Sequence, residues 1–461
     1  MCKVKILLIV LFITNHFNHA TTENYEEQFP DEEENIKKFI EEETKSFLDK
    51  LNTKREEENK DQITIEQIKN DNEVTEENEI LIDILNNFSE KLKEQNEKRG
   101  EKIGYIEEEE EENKKYCYQI TIEAEKGIMF TSDTHADAKT VEKIWYFFNQ
   151  LKQQKQVDKL VFLGDYGDRG NYWTYTYFLL ATMAEKYGED IIFIRGNHED
   201  RKIMENYSYE AMCAIENHEE CTDNCWDEMP LICEITWNQK KIFCSHGAMP
   251  LNKQGEWKER ETDMWNKKYF LANWNDNIFT EDLKQEIQSS YYRGSGYEIP
   301  IKKIFENMVN NEYDWSIHGH IHKNQCGILT TKNKRVVTVV ANEYYYNKNP
   351  DTPFLPAVYI INNENSNGIF FNLLQKPNDN IKNLNKETPK NMKVLHNCVI
   401  YKYNFPIPIK KKGINENNQE KPTNKDGQKK HVNPQENKNK EKKIDCNILK
   451  TICCCCDICK K

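Results

Sequence analysis

Between residues 116 and 375 the apolar positions come in short, dense runs separated by polar loops. "KLVFLGD", "IIFIRGN", "KIFCSHG", "WSIHGH", "RVVTVVAN" and "PAVYIIN" are runs of this kind, closed by Gly, Asn, Asp or His. That texture predicts buried β-strands. "DAKTVEKIWYFFNQLKQQ" follows a different period. Its Val141, Ile144, Trp145, Phe148 and Leu151 fall on one helical face. Strand, loop, helix and strand in succession predict an α/β domain. "IPIKKIFENM" reads as a further helix.

The flanks are patterned otherwise. Apolar residues recur at roughly helical spacing in "IEQIKN" and "ILIDILNNFSEKL", but acidic residues dilute them. Residues 21–115 carry 32 acidic and 15 basic residues, a net of −17. The expectation is a solvated acidic arm, partly helical or disordered, with too little apolar content for a core. Such an arm would either cover a site or bind a basic partner, or simply be solvated. After residue 375 the chain turns to Asn, Lys, Gln and Pro, with "VLHNCVIYKYNFPI" as one last strand. Residues 376–461 are expected to form a tail.

Composition sharpens this division. Charged residues make up 31% of the chain and the apolar set 37%, and the net charge is −14. The acidic arm accounts for that charge. No part of the middle is basic enough for a nucleic-acid groove. Residues 1–20, "MCKVKILLIVLFITNHFNHA", have the layout of a secretory signal peptide, and their apolar run is too short to span a bilayer. The alternative is an N-terminal helix retained as an anchor. The sequons at Asn87 and Asn206 matter only in a secreted chain.

The chain has 15 cysteines. Cys213, Cys221, Cys225 and Cys233 form a cluster that reads as two disulfides of open pairing, as a zinc site, or as thiols. The Cys-rich end "NILKTICCCCDICKK", after a Lys-rich tail, resembles a palmitoylated polybasic membrane anchor. Lipidation on the cytosolic side conflicts with export. The sequence therefore leaves two locations open, secretory or extracellular on one hand and membrane-associated cytoplasmic on the other. Oligomeric state is not legible.

The strand ends carry the chemistry. "MFTSDTHAD" delivers Asp133 and His135, "LGDYGDRG" delivers Asp165, Asp168 and Arg169, and "RGNHED" delivers Asn197, His198 and Glu199. "FCSHGA" delivers His246, and "IHGHIH" delivers His318, His320 and His322. Loops leaving the carboxyl ends of strands converge on one crevice. Carboxylates, an amide and imidazoles suit two divalent metals such as Mn, Fe or Zn. A pair of such ions clamps the oxygens of a phosphoryl transfer, and Arg169 offers the planar fork that a phosphate takes.

"SDTH", "GDYGDRG", "RGNHED" and "FCSHGA", in this order, resemble the calcineurin-like metallophosphoesterases, and within them the phosphoprotein phosphatase family of Ser/Thr phosphatases. The resemblance spans residues 127–362. It implies a fold of two mixed β-sheets flanked by helices. It also implies a protein Ser/Thr phosphatase in which a hydroxide activated by two metals attacks phosphorus in line. The implied metal ligands are Asp133, His135, a bridging Asp165, Asn197, His246 and His320. His198 is the implied general acid, Asp168 the carboxylate that orients it, and Arg169 a phosphate clamp. Glu199 has a structural place in its loop.

"YRGSGY" resembles the segment that supplies a second phosphate-binding arginine, here Arg293. Tyr344 or Tyr345 stands where the family has a Tyr near the metals. His322 fits the wider "GHxH" pattern, in which it would add a ligand to the first metal. His318 reads as a satisfied core histidine. Ser132, Ala136, Gly167 and Ala248 depart from the family pattern without removing a ligand. The phosphatase-type "DRG" implies phosphomonoesters and a phosphoprotein substrate. Alternatives keep the site and change the substrate to a small phosphoester such as a dinucleotide polyphosphate, or make the chain an inactive binding protein. Inactive homologues usually lose a ligand, and here all are present.

Overall fold

The computed structural model describes residues 33–70, 79–98, 117–170, 172–200, 203, 224–258, 260–262, 268–278, 285–290, 293–322, 327–331, 334–342, 356–363, 366–373, 392–395 and 398–402. The described residues open with three helices, α1 (Glu33–Glu57), α2 (Ile65–Asn70) and α3 (Glu79–Lys98). Then come β1 (Cys117–Ile122), β2 (Ile128–Thr131), α4 (Ala138–Gln153), β3 (Lys159–Phe162), α5 (Trp173–Tyr187) and β4 (Ile191–Phe193). The middle of the chain forms β5 (Ile232–Trp237), β6 (Lys240–Ser245), β7 (Arg260–Thr262), β8 (Lys268–Phe270), α6 (Leu271–Trp274) and β9 (Asp276–Ile278). It continues with β10 (Gln288–Ser289), β11 (Tyr297–Pro300), α7 (Ile301–Asn310), β12 (Trp315–His318), β13 (Gly327–Thr331) and β14 (Lys334–Thr338). The last strands are β15 (Ala357–Ile361), β16 (Ile369–Asn372), β17 (Met392–Leu395) and β18 (Cys398–Lys402).

Two mixed sheets face each other. One has five strands in the order β16-β15-β2-β3-β4, and the other eight in the order β1-β5-β6-β12-β14-β13-β18-β17. Strands β2, β3 and β4 run parallel, as the crossover helices α4 and α5 require. Phe130 and Val161 from the first sheet meet Ile235, Ile242 and Ile317 from the second in the sandwich interior. The opposite face of the larger sheet presents Ile232, Phe243 and Val336, which α7 covers with Ile304, Phe305 and Met308. The period-2 alternation along β6, with Ile242 and Cys244 inward and Phe243 outward, produces both layers. The larger sheet extends past residue 375, since β18 pairs in parallel with β13.

The acidic arm departs from its expected character. Helices α1 and α3 bury Ile36, Ile40, Phe47, Leu51, Leu81, Ile84, Leu85, Phe88 and Leu92 against the domain. Phe39 meets Trp145 edge-on at 5.6 Å, Phe47 meets Phe178 at 5.6 Å, and Phe88 meets Phe193 at 5.1 Å. Arg55 pairs with Asp83 where the two helices come together. The acidic residues lower the average hydropathy, but they lie off the apolar stripe, and the stripe decides packing. The Asn87 sequon lies in mid-helix with Phe88 and Ser89 buried, so the folded chain does not present it. The Asn206 sequon, residues 1–20 and the Cys-rich end lie outside the described residues. Among the described residues no helix is long and apolar enough to cross a membrane.

The α4–α5 interface sets an alkaline limit on stability. The Tyr187 hydroxyl accepts from Trp145 Nε1 at 3.1 Å and donates to Asn149 Oδ1 at 2.9 Å. Burial pushes its pKa from 10.0 up to about 12. Below the unfolded value neither state is ionised. Between the two values only the unfolded chain loses the proton, so this stability is lost as pH rises through the folded value. Tyr187→Phe is expected to remove about 2 kcal/mol of the fall in stability over that window. Urea midpoints measured on either side of the window check it.

Candidate metal centre

The loops after β2, β3, β4, β6 and β12 meet at one edge of the sandwich. Asp133, His135, Asp165, Asp168, Asn197, His198, His246 and His320 are all buried there. Several of these loop residues hold left-handed backbone: Asp133 has φ 53°, His135 45°, Asp165 59°, Asp168 64°, Arg169 60° and His320 65°. Such strain persists only where the surroundings over-determine it. Glu199 supplies much of that support. Its carboxylate accepts the backbone N–H groups of Asp165 at 2.8 Å, Tyr166 at 2.9 Å and Gly196 at 2.7 Å. One side chain thereby fixes the second and third loops to each other, the structural place expected for it. Burial, with the Asp165 charge adding to it, pushes Glu199 up to about 7.

The donor atoms form two groups that share Asp165. In the first, one ligand atom each from Asp133, His135, Asp165 and His322 lies within 4.8 Å of the others. His322 Nε2 stands 2.9 Å from Asp133 Oδ1, and His135 Nε2 stands 3.5 Å from Asp165 Oδ2. In the second group, His246 Nε2 lies 2.9 Å from Asn197 Oδ1, 3.1 Å from His320 Nδ1 and 3.2 Å from Asp165 Oδ1. His246 Nδ1 donates to the Leu163 carbonyl at 2.7 Å, which turns Nε2 toward this group.

The residues fit divalent cations. Asp165 Oδ2 is buried and has no hydrogen-bond partner, an orphan that a shared cation would satisfy. Oxygen and imidazole donors are also the set that Mn, Fe and Zn accept. His322 sits with the first group. His318 lies deeper. It accepts from Asn277 Nδ2 at 2.9 Å, donates to the Gly319 carbonyl at 3.1 Å and stays in the core.

Asp168 links the metal loops to the proposed acid. One of its oxygens accepts from His135 Nδ1 at 2.7 Å and the other from His198 Nδ1 at 2.5 Å. Burial would raise the Asp168 pKa, but the two imidazoles hold it well below the usual carboxylate range. Burial lowers the His198 pKa, and Arg169 adds to that while Asp168 opposes it. Arg169 donates to His198 Nε2 at 2.7 Å. Arg293 lies across the site, where its NH2 group donates to the His320 carbonyl at 2.9 Å and its Nε to Asp276 Oδ2 at 2.6 Å. The mouth is lined by the half-buried side chains of Arg169, His322 and Arg293, at 21%, 24% and 25% exposure. These side chains thus face solvent while the carboxylates of Asp133, Asp165 and Asp168 stay dry.

Sequence reasoning missed Asp276. It anchors Arg293, and its Oδ1 faces His320 Nε2 at 3.8 Å. As a lone Asp in "NWNDN" it offered no pattern to find. Tyr344 and Tyr345 lie outside the described residues.

Gly319 separates two loops that almost touch. A Cβ there would run into Ser132 Oγ and Asp133 Oδ2. Gly319→Ala is expected to displace Asp133 or His320 and lower the bound metal content while leaving the sandwich folded. Circular dichroism alongside metal content checks both parts.

Residues 127–324 match the calcineurin-like phosphoesterase family. That stretch of the 461-residue chain holds β2, β3, β4, β6 and β12 and the loops that form the site. Curated proteins similar to this chain include serine/threonine phosphatases. A PP2A-like serine/threonine-protein phosphatase of Saccharomyces cerevisiae is 36% identical over 101 residues, covering 20% of this chain and 26% of that one. An inferred serine/threonine-protein phosphatase of Caenorhabditis elegans is 28% identical over 130 residues, covering 28% of this chain and 34% of that one. The matched stretch thus spans only about a quarter to a third of these curated relatives. Among solved structures, a Saccharomyces cerevisiae serine/threonine phosphatase with similarity to human phosphatase PP5 aligns with a TM-score of 0.42 at 15% identity, covering 65% of this chain and 90% of that one.

Proposed function

We propose that this chain is a metal-dependent phosphomonoesterase acting on phosphoserine and phosphothreonine in proteins. The observation that carries this reading is Asp165, shared by two ligand sets, with the buried His198 beside it and Arg169 at the mouth. Two divalent ions held by these sets would supply Lewis acidity at the phosphoryl oxygens and a nucleophile from water at neutral pH. The chain's own groups do the rest. Arg169 and Arg293 receive the phosphate from opposite sides, and their planar forks match its oxygens. A phosphate that draws Arg169 away from His198 Nε2 frees that nitrogen and removes the charge that lowers its pKa. His198 then carries a proton on Nε2 for the leaving oxygen, held in line by Asp168 through Nδ1.

Phosphoserine, phosphothreonine and phosphotyrosine peptides, diadenosine tetraphosphate and a phosphodiester, assayed with Mn on the full chain, test the substrate class. The reading expects phosphoserine and phosphothreonine peptides to have the highest kcat/KM. Preference for the dinucleotide would move the assignment to a small-molecule phosphoesterase. No turnover of any substrate by a metal-loaded chain would make it a binding protein.

A further inference from the structure

Cys233 and Cys244 face each other directly across the antiparallel pair β5–β6. Directly opposed residues in such a pair have Cα atoms about 4.5 or about 5.5 Å apart, depending on the pair type. Both spacings fall inside the window that a disulfide accepts, roughly 4.4–6.8 Å. Opposed side chains also leave the sheet on the same face. Both thiols lie in the sandwich interior with Ile235, Ile242 and Ile317, and both are fully buried.

Cys225 lies elsewhere. It is buried with Trp226 in the helical layer on the outer side of the five-stranded sheet. A Cys225–Cys233 pairing, one of those the sequence leaves open, would have to cross between two separate cores. The partner that register assigns to Cys233 is Cys244, which sits outside the four-cysteine cluster, two residues before His246.

We propose that Cys233 and Cys244 are a disulfide site that closes when the chain folds in the presence of a disulfide oxidant. Each thiol gives up its proton, and the pair gives two electrons to an oxidant such as oxidised glutathione. One S–S bond forms in the protein, one breaks in the oxidant, and two glutathione thiols are released. The bond joins β5 to β6, the strand that ends at His246. Because both sulfurs are buried, the bond forms before the core closes, and the folded protein then shields it from reductants. A chain folded under reducing conditions keeps both thiols.

The test is peptide mapping of the full chain refolded in a glutathione redox buffer. The refolded protein is denatured without reductant, alkylated and digested. The expected result is a linked peptide pair containing Cys233 and Cys244, both protected from alkylation, and separated by prior reduction. In Cys244→Ser, Cys233 is expected to become alkylated. Full alkylation of both cysteines in the wild-type chain would overturn the proposal. So would Cys233 joined to Cys213, Cys221 or Cys225, or Cys233 protected in Cys244→Ser.

Discussion

A chain that begins at residue 116 is expected to aggregate rather than yield a soluble catalytic domain. Helix α5 is the reason. It is buried continuously from Trp173 to Ala184, so no face of it is left for water. Its Phe178 meets Phe47 of α1 and its Tyr177 meets Phe88 of α3. Removing α1 to α3 strips Phe47 from Phe178, Phe88 from Phe193 and Phe39 from Trp145. Each buried Leu, Ile or Phe side chain lost from that interface forfeits roughly 1.5–3 kcal/mol, and about nine such residues exceed the total stability of an ordinary domain. The exposed patch would also be large enough to drive self-association. The single substitution Phe88→Ala is expected to cost about 3–5 kcal/mol in the full chain. Size-exclusion chromatography and urea unfolding of the truncated and substituted chains check both effects. A monomeric 116–461 chain with an unchanged urea midpoint would show that the helices are dispensable.

Replacing His198 by Asn is expected to separate substrates by their leaving groups. A serine alkoxide is a poor leaving group and needs a proton as the ester bond breaks. Nitrophenolate leaves without one. Loss of the imidazole should therefore lower kcat for phosphoserine peptides by about 100- to 10,000-fold. Turnover of p-nitrophenyl phosphate should fall far less. Asp168→Asn should lower both, because Asp168 also holds His135. Equal losses for the two substrates in His198→Asn would assign His198 to binding rather than to proton transfer.

The candidate site was legible in the sequence because each of its candidate ligands follows a doubly buried strand. Strands β2, β3, β4, β6 and β12 carry dense apolar runs, and "TSDTH", "LGDYGDRG" and "RGNHED" follow them at once. Strands β1 and β5 gave weaker signals. They carry Gln119 and Glu234, which bond to each other toward the edge of the sheet and interrupt the apolar pattern. Asp276 escaped because its role depends on Arg293 and His320, which only the tertiary fold brings to it. The helical layer was misjudged from average charge, although the signal lay in α5. A helix apolar all round needs cover on every side, and "WTYTYFLLATMA" called for a second layer that α1 to α3 provide. The Cys233–Cys244 opposition was likewise a matter of strand register, which the local sequence does not specify.

The central claim is that Asp165 belongs to two cation sites at once. Titration of the metal-free full chain with Mn, followed by calorimetry and by metal analysis after gel filtration, tests it most directly. Two ions per chain are expected for the wild type, with Asp165→Asn weakening both sites together and Asn197→Ala weakening one. Retention of both ions at unchanged affinity by Asp165→Asn would contradict it.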